Sequence, residues 1–391
     1  MREVYVLGVG ITTFTRLEYP LVEIAGYPAM MALKESGLSA VDHIYVANMG
    51  AGRLNKQTGL ASAVVDHLGL TPAGAETIEN GPASGASALK EGFMAVASGL
   101  HDTVLVTGAE RMRAANSLET TDFVATLTHP LAEYIYGVTL PSLAGMFTRL
   151  YMDKYGVTTR HLSMVAVKAH ANAMLNDFAH LHEPITMDGI EDGPDAQTNN
   201  PMVADPLRFY DCCPVSDGGA CLILGTADAA KKLGRPRIRL SGVGQATDTH
   251  AVHERKDPTE VAAVRLAAAQ AMKMAGIRAG DVDVAELHDA FTILEIVESE
   301  EAGFFKKGEG HKALEKGLTR IGGQLPINTS GGLKAKGHPV GATGVGQAHE
   351  IVLQLRGEAG PRQVKAAKTG FTCNFGGFGN NVVCLVFQRE G

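Results

Sequence analysis

Apolar residues recur along this chain in short aliphatic runs, separated by stretches of helical periodicity. Val4 to Ile11 reads VYVLGVGI, a strand-like run. Asp102 to Glu110, DTVLVTGAE, is apolar enough through its centre to predict a buried strand. The stretch before it, SGASALKEGFMAVASG, has helical spacing. ACLILGT, IRLSGVGQAT, VDVAEL and NVVCLVF predict further strands, whereas GMFTRLYMDKYG and TRHLSMVAVKAHANAML predict helices. Strands and helices alternating in this way predict an α/β architecture with central sheets covered by helices.

The pattern repeats. VYVLGVGIT, with Gly8 and Gly10, has a counterpart in IRLSGVGQAT, with Gly242 and Gly244. ALKESGLSAVDHIYVANM, from Ala32, matches AMKMAGIRAGDVDVAELH, from Ala271, in the skeleton Ala-x-Lys-x-small-Gly-aliphatic-x-Ala. Asn48 then stands opposite His288. Two matches in the same order at nearly constant offset predict two related halves. Each reads as a strand, a helix ending at a C-cap glycine (Gly37 or Gly276), a second strand, a glycine-rich turn into a helix, and a final strand pair. The first half spans residues 1–111 and is closed by 206–235, and the second spans 236–391. Residues 112–205 have no counterpart and read as an insertion that covers something.

Composition narrows the function. A chain of 391 residues has room for two or three domain-sized units. A net charge of −7 argues against nucleic acid or an anionic membrane surface as partner. The five cysteines, Cys212, Cys213, Cys221, Cys373 and Cys384, form no CxxC pair, and none precedes residue 212. That distribution excludes a disulfide scaffold or zinc ribbon and suits a reducing, cytoplasmic setting. No apolar stretch approaches membrane-spanning length, and the first residues read as a strand and not as a leader. There is no P-loop, no third Rossmann glycine after GVGITT or GVGQAT, and no HExxH. The 14 histidines show no ligand spacing, and adjacent Cys212 and Cys213 read as small buried residues, so no metal site is expected.

Four segments carry candidate chemistry: HDAFTILEIV from His288, NTSGGLKAKGHPVGATG from Asn328 and including His338, FTCNFGGFGNNVV including Cys373, and IENGPASGASAL including Pro82. Together they resemble the thiolase superfamily, in its archaeal and sterol-carrier-protein-like branch. The resemblance implies two similar βαβαββ halves stacked as an αβαβα layered core, with residues 112–205 as a loop domain over the active site. It implies an acyl-CoA substrate, coenzyme A as substrate or product, and no tightly bound cofactor. It also implies a homodimer or dimer of dimers, and as a partner a small protein with a zinc ribbon and an oligonucleotide-binding-type fold.

In that family a cysteine at a helix N-terminus is acylated, because the helix end favours a thiolate and offers N–H groups to an oxyanion. The family pattern Cys-x-Ser-Gly reads Pro82-Ala83-Ser84-Gly85 here, so Pro82 fills the nucleophile's slot. Proline suits the first helical turn but removes one N–H. Ser84 reads as a capping or packing residue. His338 resembles the family's general base and oxyanion donor, and His288 a second oxyanion donor. Cys373 aligns with the cysteine that exchanges a proton with the α-carbon, although it equally reads as an inert buried thiol. The following Cys-x-Gly-Gly-Gly pattern has Phe375 in place of its first glycine and keeps Gly376 and Gly377, and a shift of one puts Asn374 in the cysteine's slot. Asn328 and Ser330 are expected to shape the turn that presents His338.

Two functions follow. One is a thiolase-like enzyme that makes or breaks a C–C bond beside a CoA thioester without a normal acyl-cysteine, by direct thiolysis or retro-aldol cleavage. The alternative is a non-catalytic CoA-binding or scaffold subunit of a hetero-oligomeric complex. Phe123, Tyr134, Tyr136, Met146 and Phe147 in the insertion line an aromatic or bulky-acyl pocket or belong to the core.

Overall fold

A computed structural model describes residues 1–390. The first half contains β1 (Val4–Ile11), α1 (Leu21–Ser36), β2 (His43–Ala47), α2 (Leu60–His67), β3 (Gly74–Ile78), α3 (Ser84–Ser98) and β4 (Thr103–Arg111). The inserted segment contributes α4 (Leu140–Tyr155) and α5 (Thr159–Ala173), and β5 (Asp217–Thr226) completes the half. The second half contains β6 (Arg237–Thr247), α6 (Ala262–Ala275), β7 (Val284–Glu286), α7 (Thr292–Glu301), α8 (Thr343–Arg356), β8 (Thr369–Gly376) and β9 (Asn381–Glu390).

The nine strands form one mixed sheet in the order β3-β2-β4-β5-β1-β6-β9-β8-β7. The halves join where β1 pairs antiparallel with β6 through Tyr5–Arg239 and Val6–Ile238. Outward from that seam the two halves match. β1-β5-β4-β2-β3 on one side corresponds to β6-β9-β8-β7 on the other, with the same parallel and antiparallel pairings. The place of β3 is taken in the second half by a single parallel bridge, Ala285–Ile327.

The repeated glycines have a physical cause. A Cβ on Gly8 would lie 2.2 Å from the Ala32 carbonyl oxygen, and one on Gly10 2.1 Å from that of Pro28. Their counterparts Gly242 and Gly244 face the Ala271 and Ala267 carbonyls at 2.1 and 2.0 Å. Bare strand surface thus lets α1 and α6 lie directly on the sheet in both halves. Gly37 and Gly276 end those helices at φ 69° and 70°, a left-handed conformation that costs glycine nothing.

Helices α3 and α8 pack against each other and against strands of both halves, forming the central layer, with α1 and α6 outside. The core between the halves includes Leu89, Val106, Leu222, Val345, Ile351 and Leu385. The inserted segment shares its core with the second half: Leu143, Phe147, Tyr151 and Leu162 join Ile293, Leu294, Phe371 and Phe378. Packing of α3 and α8 in the central layer brings the start of α3, which follows Pro82, beside the loop before α8, which carries His338.

Candidate active site

His338 lies in the loop between the short helix Gly332–Lys336 and α8. Its amide donates to Ser216 Oγ at 3.3 Å. The preceding Gly337 has φ 109°, and a Cβ there would lie 2.6 Å from the same oxygen. The loop then runs against the first half without side-chain bulk, since a Cβ on Gly341 would lie 2.7 Å from the Ala47 carbonyl oxygen. Glu110, at the end of β4, accepts from the amides of Gly341, Met49 and Gly50 and from Asn48 Nδ2, all within 3.0–3.1 Å. Burial pushes its carboxyl up to about 7. All four neighbours donate and none accepts, so the ionised form is the one this geometry satisfies.

The proton positions follow from the bonding network. Thr343 Oγ1 lies 2.7 Å from His338 Nδ1 and donates its only proton to the Pro339 carbonyl at 2.9 Å. Nδ1 is therefore the donor to Thr343, and Nε2 keeps a free lone pair. Burial, and secondarily the Lys336 ammonium, push the His338 imidazole down to about 3, so it stands neutral.

His288 directly follows the residue after β7 and is polarised the other way. Asn374 Nδ2 donates to its Nδ1 at 3.0 Å, while Asn374 Oδ1 accepts from the Ala86 amide in α3 at 3.4 Å. Nε2 of His288 therefore carries the hydrogen and is a donor. Phe375 stacks on the ring at 5.4 Å and 3°. The His288 amide donates to Glu298 at 2.9 Å, and burial, then the neighbouring His338, hold the imidazole well below its usual range.

Asn328 acts on this second histidine. With φ 57°, its side chain turns back, so that Oδ1 accepts from the Leu287 amide at 2.7 Å and Nδ2 donates to Glu295 at 2.9 Å. Ser330 bonds Glu286 on the same strand. Asn328 and Ser330 thus brace the end of the strand that leads to His288, and they also accept from the Gly331 and Gly332 amides in the turn into the short helix that precedes His338.

Pro82, His288, His338, Phe375 and Gly377 line one cavity of about 170 Å³, with Cys212 and Cys213 in its wall. Both cysteines are half-buried at that wall instead of lost in the core, and burial pushes each thiol up to about 12. Pro82 is buried just outside α3, whose N-cap is Ala83. That places it before the first helical turn and not within it. The nearby donors are occupied: Ala83 N bonds the Asn80 carbonyl at 3.0 Å and Ser84 N that of Gly81 at 3.1 Å. The Ser84 hydroxyl donates to the Gly81 carbonyl and accepts from the Asn80 amide, which leaves it no free proton.

A profile described as "Thiolase, N-terminal domain" matches residues 19–228, and one described as "Thiolase C-terminal domain-like" matches 244–389. The chain belongs to the thiolase family. An acetyl-CoA acetyltransferase of Methanothermobacter thermautotrophicus is 43% identical over the full length of both chains. Sterol carrier protein 2 of Bos taurus is 31% identical over 98% of this chain and 72% of that protein. The benzoylsuccinyl-CoA thiolase subunit BbsB of Thauera aromatica is 30% identical over 93% of this chain and 92% of its own. The structure of an Ltp2-ChsH2(DUF35) aldolase shares the fold, with a TM-score of 0.82 at 24% identity over 98% of this chain and 97% of that one.

In this thiolase-family chain Cys373 stands apart from the cavity. It is fully buried, lies opposite Cys384 across the β8–β9 pairing, and does not line the cavity. Burial, Cys384 and Glu298 together hold its thiol well above the usual range. Gly377, at φ 60°, reaches the cavity, whereas Gly376 backs onto the Asn80 carbonyl, 2.9 Å from where a Cβ would sit. Thr343, Ser216 and Glu110 are functional neighbours that the sequence pattern does not single out. The GATG after the histidine was the available signal for Thr343, and no local pattern pointed to Glu110. The aromatic candidates of the insertion are not in the lining: Phe147 and Phe123 are core, while Tyr136 and Met146 are exposed.

Proposed function

We propose that this chain cleaves, or in reverse forms, the C–C bond beside a CoA thioester with a single base and no acyl-cysteine. The observation that carries the reading is the opposite polarity of two adjacent imidazoles, with His338 Nε2 bare and His288 Nε2 protonated, in a cavity where Pro82 fills the nucleophile's slot.

One proton suffices for the cycle. In thiolysis, His338 Nε2 takes the proton of the CoA thiol as the sulfur attacks the β-carbonyl carbon. The Cα–Cβ bond breaks, its electron pair passes into the enolate of the departing thioester, and the His288 N–H holds the enolate oxygen. Protonated His338 then returns the proton to Cα. Retro-aldol cleavage keeps the same account, with the β-hydroxyl giving up the proton and a carbonyl compound leaving. Neither route needs a second thiol, which agrees with the burial of Cys373. Coenzyme A is a substrate or product and not a resident group.

We further infer a homodimer, for which the exposed free edge of β3 offers a pairing surface, and a small zinc-ribbon partner in a cytoplasmic complex. Intact-mass analysis after incubation with acyl-CoAs tests the mechanism: the expected spectrum shows no adduct while product forms. A stable acyl adduct would sink it. Absence of turnover with every acyl-CoA, with the partner present, would favour a scaffold subunit.

A further inference from the structure

Apart from the two histidines, two threonines (Thr120 and Thr121) and two cysteines (Cys212 and Cys213), the cavity that holds the histidines is lined by apolar residues. Among the described residues lining it there is no Asp, Glu, Lys or Arg. Met112, Leu140, Phe291, Leu294 and Phe378 supply much of its wall. The hydroxyl of Thr120, also in the lining, is spent on the Met112 carbonyl at 3.1 Å. Lys334, the cation whose field reaches Cys212 and Cys213, is outside the lining and lies 5.8 Å from the centre of the Tyr210 ring.

Size and polarity together restrict the occupant. An apolar cavity of about 150 Å³ takes up benzene, and this one measures about 170 Å³. With the reacting carbons between the histidines, an acetyl group would leave the Phe291–Leu294–Phe378 side of that wall without contact atoms. A terminal carboxylate would lose its hydration with no lining cation to replace it.

We propose that the group beyond the scissile bond is a neutral hydrocarbon of phenyl size, held against the Phe291–Leu294–Phe378 wall. This rests on the reading of the site given above, so binding and turnover are measured separately. Calorimetry on the full chain compares three thioesters that cannot be cleaved: acetyl-CoA, 3-phenylpropanoyl-CoA and adipyl-CoA. The expected result is binding of the phenyl compound at least about tenfold tighter than either other, since even one methylene in an apolar pocket is worth about tenfold or more. Turnover should follow, with 3-oxo-3-phenylpropanoyl-CoA exceeding acetoacetyl-CoA in kcat/KM. Val124 is half-buried in the cavity wall, and Val124→Phe should cut the phenyl-over-acetyl binding ratio severalfold. Equal binding of the three thioesters, or tightest binding of adipyl-CoA, overturns the proposal. Phenyl-selective binding without turnover of any substrate would instead sink the catalytic reading and leave the pocket's preference standing.

Discussion

The rings of His288 and His338 meet edge to face, their centroids 5.0 Å apart at 87°. Their outer hydrogen bonds set opposite tautomers, Asn374 donating to one and Thr343 accepting from the other. Two copies of one residue type thereby become a base and a donor. Loss of the base should cost more than loss of the donor's ideal geometry. His338→Ala is expected to lower kcat by about 10²–10⁴-fold, the range of a positioned general base. His288→Ala should lower it about 10²–10³-fold, as for an oxyanion donor, while His288→Asn, which keeps an N–H, should retain more. Steady-state kinetics on the three variants checks the order, and an active His338→Ala protein would remove that residue from the chemistry.

Burial also fixes the pH response. The His338 imidazole is held at about 3, far below its ordinary 6.5. A lowered pKa keeps the base unprotonated at every pH above it, so acidification from pH 8 to 5 should not titrate it. The expected kcat/KM profile has no acid limb near 6.5. A limb at 6–7 that vanished in His338→Ala would show that the base is solvated in the working enzyme.

Thr343 holds the His338 tautomer through one oxygen. Thr343→Val keeps the shape but offers no acceptor to Nδ1–H, so that proton can move to Nε2 and block the lone pair. We expect kcat to fall about 10–100-fold, comparable to loss of an outer partner of a metal-bound histidine, with KM little changed and Thr343→Ser restoring the rate. A merely structural threonine would lower thermal stability in Val and Ser alike, without this split.

The repeat was legible because packing demanded it twice: Gly8 and Gly242, like Gly10 and Gly244, meet helix carbonyls at the same separations. His288, His338 and Pro82 were legible because each sits in a glycine-rich or acidic motif at a strand or helix end. The partition between Cys373 and Asn374 was not. Along β8 successive side chains point to opposite faces, so a shift of one residue decides which reaches His288. Glu110 was hidden for another reason. Three of its four donors are backbone amides, those of residues 49 and 50 in its own half and of 341 in the other, and such contacts leave no side-chain signature.

Glu110 joins those halves at the loop of His338. Glu110→Gln keeps the volume but turns an NH₂ group toward two donors. One or two buried amides lose their acceptor, at about 1–3 kcal/mol each. We expect a lower thermal midpoint together with a reduced kcat, because Gly341 lies in the loop that carries the base. Calorimetry and kinetics on the same preparation check the pairing of effects. Unchanged values of both would show that the carboxylate anchors nothing of consequence.

Pro82 offers the most direct test of how the missing thiol shapes the chemistry. Pro82→Cys places a thiol in the cavity wall shared with His338, whose bare Nε2 is an available base. Its own new N–H adds a donor that proline lacks. The amides of Ala83 and Ser84 remain tied to the Asn80 and Gly81 carbonyls, so stabilisation of a tetrahedral oxyanion stays incomplete. The variant should therefore acquire an acyl group from an acyl-CoA, visible as one added acyl mass on the introduced thiol, while turning it over slowly. The parent chain, with only the raised thiols of Cys212 and Cys213 in that cavity, should show no such mass. A variant that stays unmodified while still folded and binding CoA would mean that residue 82 does not stand within attacking distance of the thioester.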